Sequence, residues 1–201
     1  MKKDNECVIK SSIPDYLVSN RKWCILTFLL IVEITIFTWQ NSTINDSFLE
    51  FLNEQAGFEG SAFLYILFGN TCSAIYLVLL GIIPFWFGSL FGAFGALKNI
   101  ILTIKYLLPI VGAKQLFLGT ITHGIFEGTA FYLSLVLSVL LSKAATSSIL
   151  SKVINKEKVP SFSEECRVIL KGIIYILLPL LLIAAAFEVT VSWWIISSNL
   201  P

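Results

Sequence analysis

The stretch LFLGTITHGIFEGTAFYLSLVLSVLL, Leu116 to Leu141, decides how this chain is read. It is long enough to cross the hydrocarbon core of a bilayer, which takes about 20 apolar residues. It holds no lysine or arginine, yet it carries the only histidine of the chain, His123, and a glutamate, Glu127. A helix would put these two on one face, one turn apart. Ionisable groups in such a segment are expensive, and a functional site is their usual reason.

The rest of the chain agrees. Its 201 residues are 56% hydrophobic and only 13% charged, about half the charged share of a soluble domain. The mean hydropathy is +0.83. A water-soluble core of ordinary size cannot hide that much apolar surface. The chain therefore reads as an integral membrane protein, with the lipid bilayer as its first partner. A net charge of +1 leaves no basic footprint for nucleic acid. The four cysteines, Cys7, Cys24, Cys72 and Cys166, form no C-x-x-C pair and no metal-finger spacing, which argues against a disulfide framework.

Four further spans fit around Leu116 to Leu141. The first runs from Trp23 to Trp39, with a tryptophan at each interface. Its basic flank resembles a signal sequence, but no small-x-small cleavage site follows, so it reads as an uncleaved span. The second runs from Ala62 to Leu80 and the fifth from Gly172 to Ile196. The third, Ile82 to Leu97, is short and glycine-rich, with Pro84 near its start, and suits a tilted or re-entrant piece. The expected fold is all-α and polytopic. A cytoplasmic segment, 1–22, precedes a single membrane domain, 23–201, of about five transmembrane helices with spans 23–39, 62–80, 82–97, 116–141 and 172–196.

Basic residues set the orientation. Lys2, Lys3, Lys10, Arg21 and Lys22 place the N-terminus in the cytoplasm. The loop 143–171, with Lys143, Lys152, Lys156, Lys158, Arg167 and Lys171, joins it there. The loop 40–61 has Asp46, Glu50, Glu54 and Glu59 and no basic residue, so it lies outside. Lys98, Lys105 and Lys114 strain this scheme, because they would also lie outside unless span three turns back. Ser161-x-x-Glu164 is a capping-box pattern that would start the helix leading into the fifth span. Residues Asn45 to Phe58 suit either a helix lying on the outer surface or a solvated loop.

Depth links the buried polar residues. At about 1.5 Å per residue, Asn70, His123, Glu127 and Glu188 all fall roughly 10–17 Å below the outer boundary. They come from three different spans, and chance placement would scatter them. A lone charge at mid-bilayer costs about 2.5–3.5 kcal/mol on insertion scales, so a cluster is the economical arrangement. Glu33, about six residues from the outer end of span one, either joins the cluster or snorkels outward. Gly88, Gly92 and Gly95 form a small-x-x-x-small face for close helix contact. Gly119, Gly124 and Gly128 would let backbone approach near the histidine.

Three uses of the cluster are open. It can glue helices and set their register. It can be a functional polar site for conduction, docking or substrate contact. Or His123, Glu127 and Glu188 can hold a divalent metal such as zinc, with open positions. The same three would be the catalytic residues if the protein is an enzyme, with His123 as general base and Glu127 as its orienter. Against that, no H-E-x-x-H occurs, and no serine or cysteine nucleophile pairs with His123.

The run Thr122 to Ala130, T-H-G-I-F-E-G-T-A, resembles the P-H-G-x-x-E-x-P-A hallmark of the stage II sporulation protein M family. Phe68 to Ala74 is similar to that family's asparagine-containing second span. Gly81-Ile82-Ile83-Pro84 resembles the start of its glycine-rich middle, and Ala184 to Glu188 its last-span glutamate. The resemblance covers roughly Ala62 to Ile196. Thr122 and Thr129 stand where the family usually has prolines, and the asparagine-glycine often seen in its third span is missing. The resemblance implies a multi-pass protein of a bacterial cytoplasmic membrane. It also implies partners: peptidoglycan-degrading proteins during engulfment, or the machinery that matures and secretes circular bacteriocins.

The expected function is therefore an assembly or accessory component working with other membrane or envelope proteins, a small peptide substrate, or further copies of itself. The runner-up is an intramembrane metal-dependent peptidase or peptide ligase. A transporter subunit is a third reading, though no ATP-binding motif or inverted repeat is visible.

Overall fold

A computed structural model describes residues 13–43, 62–154 and 162–192. Its elements are all helical. They are α1 (Ile13–Ser19), α2 (Arg21–Asn41), α3 (Ala62–Leu80), a 3₁₀ turn (Pro84–Trp86), α4 (Phe87–Val111) and α5 (Ala113–Ile154). After these come α6 (Phe162–Gly172), a π-helical turn (Ile173–Leu177), α7 (Leu178–Phe187) and a second π turn (Glu188–Ser192). Among the described residues, five stretches are long and apolar enough to cross a membrane: Arg21–Asn41, Phe63–Leu80, Pro84–Ile110, Ala113–Val153 and Phe162–Val191. The all-α polytopic expectation holds. The surface helix expected at 45–58, and Ser161 of the capping box, lie outside the described residues.

The axis of the bundle is α5. Of its most apolar stretch 56% is buried, against 11% for α2 at the periphery. It packs against α2, α3, α4, α6 and α7. Leu133, Leu137 and Leu141 of α5 meet Ala74 and Val78 of α3, and Leu177 and Leu181 of the last helix. In lipid such contacts gain little from leaving the solvent, because the tails are as apolar as leucine. Close packing and interhelical hydrogen bonds carry the association instead.

Two hydroxyls of a buried seam on α5, Ser138 and Ser142, supply such bonds, whereas Ser134 donates within α5 to the Ala130 carbonyl. Ser134, Ser138 and Ser142 recur every four residues and are each fully buried. Ser138 Oγ lies 2.8 Å from Ser89 Oγ of α4. Gly81 sits on the same seam, where a Cβ would stand 2.2 Å from the Ser138 carbonyl oxygen. Only glycine lets α3 end this close to α5. The chain then reverses through Phe85 (φ 58) and Trp86 (φ 62). Left-handed backbone costs such residues about 1–3 kcal/mol each. The Phe85 N–H donates to Thr146 Oγ1 at 2.8 Å, and the Trp86 N–H to Ser142 Oγ at 2.9 Å. Ser142 in turn donates to the Ile83 carbonyl at 2.8 Å. Three hydrogen bonds, at about 1 kcal/mol each, roughly offset the strain.

Three helices extend beyond the spans read from hydropathy. The third segment is a helix of 25 residues, Phe87–Val111, where a short piece over 82–97 was expected. It continues because 98–111 is apolar over most of its length, with Lys98 and Lys105, seven residues apart, on one face of the helix. A single residue, Gly112 (φ 79), then separates α4 from α5, a conformation that favours glycine. Likewise α5 runs to Ile154 rather than ending at Leu141, because 142–154 is polar enough to leave the membrane yet still helix-forming. The fifth helical stretch starts at Phe162, where the capping-box pattern places the start of the helix leading into the fifth span, and passes through the π turn that precedes Pro179. Proline lacks the N–H of a regular turn, and a π turn absorbs that loss.

The glycine readings divide. A Cβ on Gly88 would meet the Leu80 carbonyl at 2.0 Å, and one on Gly92 the Leu80 and Leu77 side chains, whereas Gly95 and Gly128 face open space. Gly128 therefore does not bring backbone close to the site.

Lysines at the bundle ends are tied down. Lys105 Nζ donates to the Trp39 carbonyl at 2.5 Å and to the Ser42 carbonyl at 2.7 Å, capping the last turn of α2. At the other end Lys143 donates to Asn20 Oδ1 at 3.0 Å and lies 5.9 Å from the Trp23 ring centre. Beside it α1 docks through Tyr16, whose phenol donates to Glu165. Burial, then the Glu165 hydrogen bond, pushes the Tyr16 phenol well above its ordinary range.

Candidate functional site

The apolar seam between α3, α5 and α7 turns polar within one helical turn. On α3, Asn70 lies one turn before Ala74 and two before Val78. On α5, Glu127 lies one turn before Ala130. On the last helix, Glu188 lies one turn after Ala184. Ala74 is 5% exposed, and Ala130, Ala184 and Ala185 are all at 0%. These small side chains let three helix backbones approach closely, so the next residues on each stripe must meet.

They do meet. The Asn70 Nδ2 amide donates to Glu127 Oε1 at 2.5 Å. The other Glu127 oxygen, Oε2, lies 3.9 Å from His123 Nε2. One ligand-type atom each from His123, Glu127 and Glu188 falls within 4.8 Å of the others. Phe126 stacks on Phe187 with ring centres 5.5 Å apart and planes 14° from parallel. Each phenylalanine directly precedes a site glutamate, so the stack holds α5 and α7 in register there. Glu188 also opens the second π turn, a distortion that re-aims side chains and is frequent at functional sites.

The centre is half-buried. The His123 side chain is 13% exposed and that of Glu127 29%. An imidazole and two carboxylates this close in an apolar bundle need a proton or a cation among them, because adjacent like charges there are unfavourable. The donor set fits a divalent cation: three protein ligands with room for a further one is a common catalytic zinc arrangement. Asn70 would then orient Glu127 from behind, as second-layer amides do.

Of the five residues expected in the cluster, four are brought together and one is not. Glu33 is exposed on α2 and outside the His123, Glu127 and Glu188 group. Depth alone suggested membership, but depth does not report which way a helix face points. The Phe126–Phe187 stack and the π turn at Glu188 were missed from sequence. The stack had a signal, a phenylalanine before each intramembrane glutamate. The π turn had none. Thr129 donates to the Ile125 carbonyl at 2.7 Å and Thr122 to the Gly119 carbonyl at 3.4 Å. Where proline would break the backbone ladder, these threonines leave α5 continuous through the site.

The sequence model of the stage II sporulation protein M family matches residues 24–193, which take in every site residue. The chain belongs to the stage II sporulation protein M family. No curated protein and no solved structure matches it. It is thus an integral membrane protein of that family, with the family match covering four of the five apolar helical stretches in full and the first from residue 24.

Proposed function

We propose that this member of the stage II sporulation protein M family is an assembly or accessory component of a bacterial cytoplasmic membrane. Its N-terminus is cytoplasmic, and it works with membrane or envelope partners in sporulation-type envelope remodelling or in bacteriocin maturation and secretion. Its working part is the intramembrane centre of Asn70, His123, Glu127 and Glu188. The observation that carries this reading is the convergence of these residues from three separate helices. Simple helix adhesion needs one such hydrogen bond, not a histidine and two carboxylates in mutual reach.

The test is complementation of a host lacking its own copy, scored by engulfment or by bacteriocin output, with membrane levels of the chain measured in parallel. Glu188→Gln and His123→Gln should accumulate near wild-type level yet lose function. Loss of function only in proportion to lost protein would reduce the centre to a structural clasp and overturn the reading.

The ligand-atom grouping within 4.8 Å favours a second reading, a metal-dependent intramembrane peptidase or peptide ligase. His123, Glu127 and Glu188 would hold the ion, and the ion would polarise a carbonyl or activate water. This reading expects about one zinc per chain in protein purified without chelator, lost in His123→Ala. Metal-free protein that still complements would remove it.

A further inference from the structure

Glu33 has no place in the centre, yet it lies in the middle of a span. The helix α2 is centred on Ile31, so Glu33 is about 3 Å along the axis from its midpoint. Its side chain is exposed, and among the described residues it has no hydrogen-bond or ion-pair partner. A glutamate is too short to snorkel from there, since the end of α2 is about 12 Å away. A lipid-facing carboxylate near mid-bilayer is among the costliest placements in a membrane protein.

The residues around it form a pattern. Lys22, Leu26, Leu29, Glu33, Ile36 and Gln40 are spaced alternately by four and three, and all six are exposed. The five spacings average 3.6 residues, the α-helical repeat, so the six residues line one face of α2. The opposite face of α2 is the one already used. Thr27 and Thr38 are buried, and Ile31 and Ile34 pack on the bundle core. The free seam therefore presents an apolar stripe with one acid at its centre, an arrangement that fixes register and partner choice.

We infer that this face of α2 docks a transmembrane helix of another protein that carries a basic side chain near its own middle. Charge selects that occupant. A second copy related by two-fold symmetry would set Glu33 against Glu33, like charges in an apolar interface, whereas a lysine or arginine neutralises the carboxylate. The docking face is independent of the His123 centre.

The test uses the full chain, donor-labelled, in lipid vesicles. Acceptor-labelled synthetic poly-leucine helices of spanning length are added, either with one central lysine or all-leucine, and energy transfer is measured. The lysine helix should associate about tenfold more tightly. Glu33→Leu should abolish that preference and leave the unfolding temperature unchanged. Equal association of the two helices, or a preference that survives Glu33→Leu, would overturn the inference. So would a lowered unfolding temperature in Glu33→Leu, which would give Glu33 an internal partner. A self-dimer lost on Glu33→Leu would make a second copy the occupant and overturn it too.

Discussion

A double-mutant cycle on Asn70 and Glu127 probes the centre at its shortest contact. The amide donates to Glu127 Oε1 at 2.5 Å, and Glu127 is 29% exposed. A hydrogen bond to a charged group is worth about 1.5–3 kcal/mol when fully buried. Two effects reduce this. The exposed side of Glu127 can recruit a replacement partner, and measured interhelical bonds in membranes average only about 0.6 kcal/mol, with a maximum near 1.7. The expected coupling is therefore about 1 kcal/mol, roughly a fivefold change in the unfolding equilibrium. Asn70→Ala alone should destabilise the protein. In a Glu127→Ala background the same change should be nearly neutral, because no carboxylate is left without its donor. The assay is reversible unfolding in bicelles of the four proteins of the cycle. Additivity within about 0.3 kcal/mol would refute the claim that these helices are joined by this bond.

Other outcomes follow from the frame that holds the site. Gly81→Ala forces a Cβ to 2.2 Å from a backbone oxygen. No side-chain rotation relieves that clash, so destabilisation of about 3 kcal/mol or more is expected, read as lost accumulation and a lower unfolding temperature. Ser142→Ala removes the Trp86 N–H acceptor and the Ile83 carbonyl donor together. It should cost about 2 kcal/mol and expose the Phe85–Trp86 turn to hydrogen exchange. The Tyr16 phenol is raised by burial and by Glu165. An acid neutral in the fold but ionised when released favours release as pH rises through its ordinary value of about 10. Proteolysis at α1 should accelerate above that pH in the wild type, and Tyr16→Phe should remove the acceleration.

Much of the fold was legible because the membrane imposes one rule, a run of apolar residues for each crossing. Four of the five spans begin or end near the bilayer-length stretches read from hydropathy. Helix ends beyond the membrane were not legible. Residues 142–154 of α5 are polar enough to read as a loop, yet nothing in them stops a helix. Residues 98–111 looked like a lysine-bearing loop because charge was read as exposure, whereas Lys105 caps α2. The site was legible from depth, since Asn70, Glu127 and Glu188 had to meet if α3, α5 and α7 were neighbours. Glu33 shows the limit of that argument. At a similar depth it faces away, because the inward face of α2 belongs to Thr27, Ile31, Ile34 and Thr38. The left-handed pair Phe85 and Trp86 carries no glycine to announce it. Its counterweight is Ser142 and Thr146 of α5, two hydroxyl residues that carry no sequence signal of that role.

The account rests on one centre built from three helices, and cysteine cross-linking in native membranes tests it most directly. In a background free of the native cysteines, Asn70→Cys with Glu127→Cys, and Glu127→Cys with Glu188→Cys, should cross-link rapidly with a short thiol reagent. Glu33→Cys with Glu127→Cys should not. Failure of positions 127 and 188 to cross-link, or equal efficiency at position 33, would contradict the centre.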